Sequence, residues 1–138
     1  MSLKKEDKFK SGYAAIVGKP NVGKSTLLNH LVMRKIAAIS SKPQTTRNKI
    51  TGVVHFSGGQ IILLDTPGIH KASSQFNRLM VKASLSAYND VDIILFVIDA
   101  KQGFSENDMF VLDTLNDVKF PKILIINKID LVSKPDLL

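Results

Sequence analysis

The stretch that most constrains what this chain can become is residues 13–26, YAAIVGKPNVGKST, where an apolar run passes directly into a loop punctuated by glycine. YAAIV has no polar alternation, which is how a strand buried on both faces of a parallel sheet reads. GKPNVGKST, residues 18–26, fits G-x-x-x-x-G-K-[ST]. In that pattern the backbone N–H groups of the loop turn inward around an anion, and the loop runs straight into a helix whose N-terminus is itself an anion site. Gly18 and Gly23 supply the backbone angles and the close approach, and Lys19, Pro20, Asn21 and Val22 fill the loop between them. Lys24 reaches the outer phosphates as a point charge, Ser25 offers its hydroxyl to a magnesium ion, and Thr26 starts the helix.

Strand, loop and helix in this order call for an α/β layer fold, and the rest of the chain agrees. DIILFVI at 92–98 and KILII at 122–126 are two more apolar runs of buried-strand type. Between them SENDMFVLDTLNDV predicts a helix, with Ser105 as N-cap, Asp108 at the capping-box position and Met109, Leu112 and Leu115 on its core face. Residues 50–65 hold two strand-like runs around Ser57-Gly58-Gly59, which predicts a hairpin and one antiparallel edge strand. Phe76, Leu79, Met80, Ala83 and Ala87 predict a further helix behind Ser73 and Ser74. The expected architecture is a mostly parallel sheet with helices on both faces. At 138 residues it is one domain, with residues 1–10 a flexible basic tail and residues 11–138 a partial domain.

No apolar run approaches the length needed to span a bilayer, and the tail lacks the apolar core of a secretory signal. The absence of cysteine excludes a disulfide framework and fits a cytoplasmic location. A net charge of +7 favours a polyanionic neighbour such as RNA, nucleotide or the inner face of a membrane, although the basic residues are scattered from Lys4 to Lys134 as on an ordinary solvated surface.

Ligands in such folds bind at the carboxyl ends of the strands, so the residues just past each strand matter most. After the third comes DTPG, residues 65–68. Asp65 suits a magnesium ligand, direct or through water, Thr66 and Pro67 carry the chain past the phosphates, and the amide of Gly68 is placed to sense a terminal phosphate. After the last comes NKID, residues 127–130. Asn127 can bond a purine substituent, Lys128 sits next to it, and Asp130 can accept from a ring N–H and an exocyclic amine together, a pair that guanine presents and adenine does not. A site built around that pair rejects the wrong base strongly, because a carboxylate is otherwise left unsatisfied.

The motifs GKPNVGKST, KPQTTR, DTPGIHK and NKID occur in the order found in small GTPases, and the chain resembles the TrmE-like and Era-like group from about Tyr13 onward. The resemblance implies a Ras-like P-loop NTPase fold in three layers, C-terminally incomplete because one more strand is expected beyond NKID. It also implies GTP and GDP as ligands with Mg2+. SSKPQTTRNK, residues 40–49, then becomes a switch loop rather than a simple basic patch. Thr46, with Thr45 as the alternative, completes the metal shell begun by Ser25 and Asp65. Catalysis would rest on Lys24, Thr46, Gly68 and Asn21, the last holding a potassium ion in place of an arginine finger. Ile69 stands where many GTPases carry a water-orienting glutamine, which predicts slow turnover. The implied partners are the small ribosomal subunit and 16S rRNA through a KH domain absent from this sequence, and the basic tail permits peripheral membrane association. Other GTPases of the group, serving tRNA modification or another stage of ribosome maturation, are the second reading, and a nucleotide-binding module without turnover is the third.

Overall fold

The computed structural model describes residues 8–32, 50–66, 91–133 and 135, with the side chains of Ile50, Thr51 and Asp65 left out. Strand β1 (Lys10–Val17) leads through the glycine-rich loop to helix α1 (Lys24–Val32). The hairpin β2 (Ile50–Phe56) and β3 (Gly59–Asp65) comes next, then β4 (Ile93–Asp99), helix α2 (Glu106–Asn116) and β5 (Lys122–Asn127). A 3-10 turn over Ile129–Leu131 succeeds β5.

The sheet has five strands in the order β2-β3-β1-β4-β5. β1 runs parallel to β3 and β4, β4 runs parallel to β5, and β2 is antiparallel to β3 at one edge. Ser57 and Gly58 alone make the hairpin turn: Gly58 takes the left-handed φ of 82° that a side chain resists, and Gly59 is already paired with Phe56 in the ladder.

Alternation along the strands divides the core in two. Ala15, Val17, Ile62, Leu64, Ile94, Phe96 and Ile98 pack with Val111 and Leu115 of α2. Ala14, Ile16, Leu63 and Val97 pack with Val22 and with Leu28 of α1 on the other side. A helix therefore covers each face, as a parallel sheet requires. Ile16, Leu63, Ile94 and Leu115 are fully buried, each contributing about 1.5–3 kcal/mol by area removed from water.

Two expectations need correction. Met109 is 48% exposed rather than core, because the inward face of α2 is set by Asp108, Val111 and Leu115, one position round the helix. The strand over 122–126 is not covered on both faces: as an edge strand, β5 leaves Ile123, Leu124 and Ile126 at 49%, 52% and 42% exposure. The segment 40–49, the helix expected over 76–87 and residues 1–7 of the tail lie outside the described residues.

Parallel pairing brings the carboxyl ends of β1, β3, β4 and β5 to one side of the sheet. Ile16 lies opposite Asp65, Val17 opposite Phe96, and Asp99 opposite Asn127.

Candidate functional site

The loop over residues 18–23 leaves β1 at a point where only glycine fits. A Cβ on Gly18 would stand 2.5 Å from the carbonyl oxygen of Val97 and 3.3 Å from Val22. Val22 itself turns its side chain into the core beside α1 and so fastens the loop from beneath. Asn21 and Gly23 both take positive φ, 64° and 93°, and a Cβ on Gly23 would collide with the side-chain amide of Asn127. The amide of Leu27 bonds to the Gly23 carbonyl at 2.8 Å and starts α1 directly at the end of the loop. Lys24 spans the loop, its Nζ donating to the carbonyls of Gly18 at 2.9 Å and Lys19 at 2.8 Å. Ser25 and Thr26 are exposed in the first turn of α1.

Side chains from three other elements hold this loop in place. On one flank the Lys19 side chain leaves the loop and is buried. Its ammonium donates to Asp108 Oδ2 and to Ser105 Oγ, each at 2.9 Å. Ser105 and Asp108 also form the reciprocal capping box of α2, so one carboxylate both caps a helix and neutralises a lysine of the loop. Burial alone would push the Asp108 carboxyl up; hydrogen bonds from Ser105 and from Lys19 outweigh it and hold the group below the ordinary carboxylate value.

On the other flank stands NKID. Asn127 Nδ2 donates to the Val22 carbonyl at 2.9 Å, and Lys128 Nζ donates to the Asn21 carbonyl at 2.8 Å. Lys128 adopts a left-handed φ of 61°, which turns the chain from β5 into the 3-10 turn carrying Asp130 as an exposed carboxylate. Its ammonium also pairs with Asp99 Oδ2 at 2.7 Å. Asp99 is the buried last residue of β4, and its other oxygen accepts from the amides of Lys101 at 2.9 Å and Gln102 at 3.3 Å. The hydrogen bond from Lys128 chiefly, against burial and with help from those amides, holds the Asp99 carboxyl below its ordinary value.

The sequence motifs at 18–26 and 127–130 are thus brought into direct contact. Thr66 is brought to the same edge, but its hydroxyl donates to the Ile16 carbonyl at 2.6 Å and fastens the end of β3 to β1. The backbone of Asp65 lies beside Ile16. Thr45, Thr46, Pro67 and Gly68 lie outside the described residues. Motif reading does not find Asp99, and it takes Asp108 for a helix cap alone. A lone carboxylate closing the apolar run IILFVID is the one signal the sequence carries for the first.

An anion loop after the first strand of a parallel sheet, tied to an N-K-x-D segment after the last, defines a P-loop GTPase. The family described as 50S ribosome-binding GTPase matches residues 13–128, and the chain belongs to it. Within it the chain is similar to GTPase Era of Geobacter sp. strain M21, at 50% identity over 133 residues, covering 96% of this chain and 45% of that one. Two solved structures are similar at a TM-score of 0.70. One is Era in complex with MgGDPNP and a segment of 16S ribosomal RNA, 44% identical and covering 91% of this chain and 43% of that one. The other is a variant of Aquifex aeolicus Era bound to GDP and AlF4-, 42% identical and covering 94% and 44%. The chain therefore spans less than half the length of these relatives.

Proposed function

We propose that this chain is the GTP-binding and GTP-hydrolysing switch domain of an Era-type protein. The single observation that carries the reading is the double tie between the phosphate loop and NKID, Asn127 to Val22 and Lys128 to Asn21. Such a tie suits a ligand that engages both segments at once, with phosphates at one end and a base at the other. Asp130, exposed beside the tied pair, is the group that would accept from the guanine ring N–H and its 2-amino group.

The residues fit a magnesium ion of the kind that accompanies nucleotides. Among the described residues there is no cluster of three or more His, Cys, Asp or Glu, and magnesium bound to phosphates needs none, keeping waters and taking one or two protein ligands. Ser25, exposed in the first turn of α1, is the proposed ligand among the residues with described side chains; Asp65 and Thr46 or Thr45 complete the proposed set. The ion would neutralise charge on the phosphates. Lys24 would move from its loop carbonyls toward the outer phosphates, and the loop amides would bind the oxygens as charge redistributes. Asn21, exposed at the loop, is proposed to hold a potassium ion, which predicts that exchanging potassium for sodium slows turnover. With Ile69 in place of a water-orienting side chain, turnover is slow, as suits a timed switch.

The partner that fits is the small ribosomal subunit through its 16S rRNA, since a relative 44% identical is solved with a segment of that RNA. Small-subunit assembly is the process proposed. Titration with magnesium GDP, a magnesium GTP analogue and ATP tests the nucleotide reading. Guanine nucleotides should bind and ATP should not; equal binding of ATP would refute the role given to Asp130.

A further inference from the structure

We infer that Asp99 is a positioning residue for the nucleotide, acting through Lys128 on the orientation of the phosphate loop. The inference rests on the guanine-nucleotide reading above and extends it to a residue outside the recognised motifs.

A trans peptide unit is planar, with its C=O and N–H pointing in opposite directions. Fixing the carbonyl of residue n therefore fixes the direction of the N–H of residue n+1. Lys128 holds the Asn21 carbonyl and Asn127 holds the Val22 carbonyl, both on the NKID side of the loop. By planarity the N–H groups of Val22 and Gly23 then point the other way, to the side on which the proposed phosphates would bind. Asn21 and Gly23 need positive φ to allow this, and that conformation has to be held from outside.

Lys128 can hold Asn21 only if its ammonium is itself fixed. A lysine side chain has about 2 kcal/mol of rotamer freedom to lose. Lys128 is also a left-handed residue whose side chain remains about a third exposed. Asp99 supplies the anchor: its carboxylate is 3% exposed, rigid at the end of β4, and bonded to two amides of the following turn besides Lys128. The Asn127 carbonyl accepts from the Ala100 amide at 2.9 Å, so the residue after Asp99 fixes the partner of Val22 as well. β4 thus sets the geometry of a site to which it contributes no recognised motif.

The test is a double-mutant cycle on GDP affinity, measured by isothermal titration for the wild type, Asp99→Asn, Lys128→Met and the double variant. Asp99→Asn keeps the shape and the acceptor for the turn amides but can present an N–H donor to the Lys128 ammonium. It should weaken GDP by about tenfold or more, as loss of one partner of a buried charge pair does. Because Asp99 acts through Lys128, the double variant should bind no more weakly than Lys128→Met alone. An Asp99 that acts independently of Lys128 would instead give losses that multiply. Binding of Asp99→Asn within about twofold of wild type, or a double variant weaker than Lys128→Met by a further tenfold, overturns the inference. If Asp99→Asn does not fold, the double variant, in which neither charge is stranded, is compared with Lys128→Met, in which Asp99 alone stays charged, by the same criterion. A wild type that fails to bind GDP would refute the nucleotide reading itself, and this inference with it.

Discussion

Replacing Asp108 with alanine removes one carboxylate from three bonds at once. It strands the Lys19 ammonium, whose side chain is 8% exposed, leaving it Ser105 Oγ as its partner among the described residues. It also removes the acceptor for the Ser105 amide, at 2.9 Å, and with it half of the capping box of α2. Breaking a buried ion pair from one side costs about 3–5 kcal/mol, since the remaining charge is uncompensated. The lost cap adds about 0.5–1 kcal/mol. The pair is not ideal: Asp108 Oδ1 is buried with no partner among the described residues, which places the total near the lower end, at about 3.5–4 kcal/mol. Against a domain stability of about 5–15 kcal/mol this is a large share. With a urea slope of about 1.5–2 kcal/mol/M, the unfolding midpoint should fall by about 2 M. The companion Lys19→Met/Asp108→Ala, in which no charge is stranded, should recover most of that drop and retain only the cap loss. A midpoint shift below about 0.5 M for Asp108→Ala would refute the reasoning, as would a double variant less stable than the single one.

The remaining predictions concern the loop, the base and pH. Gly23→Ala meets both a φ of 93° and the Asn127 amide, so GDP affinity should fall about fivefold or more, by about 1–3 kcal/mol of strain. Gly58→Ala has a φ of 82° but open space around it, and should lower the urea midpoint slightly while leaving affinity unchanged; equal effects on affinity would show that the loop contact is irrelevant. Asp130→Asn exchanges an acceptor for a donor, and competition titration should show a preference moved from GDP toward the xanthine nucleotide, which carries a carbonyl at that ring position. Asp99 and Asp108 are both depressed in the folded state, so their contribution to stability is complete above the unfolded value of about 3.9 and is lost as pH falls through the lower native values. Urea midpoints measured below about pH 4 should therefore decline less steeply in Asp99→Asn than in the wild type.

The features legible in the sequence and those hidden from it are separated by one physical division. The phosphate loop, the cap at Ser105 and the hairpin at Gly58 are local: each depends on residues within a few positions, so spacing alone carries them. The strands are legible because burial on both faces leaves an unbroken apolar run, yet the same rule misjudges β5, whose apolar composition looks identical whether a neighbour covers it or not. Periodicity misplaces Met109 because a polar residue takes the inward position. Asp108 does so only where a lysine 89 residues earlier in the chain meets it, and no helical periodicity can register that. The same holds for Asp99 and Lys128, 29 residues apart, and for Asn127 and Val22, 105 apart. NKID can be read as a base-recognition motif from its letters. Its contacts with the carbonyls of the glycine-rich loop exist only once parallel pairing has set Asp99 opposite Asn127. On the proposed function, recognition of the base and affinity for the phosphates would be coupled through the sheet, and a substitution in β4 that never touches nucleotide should alter both.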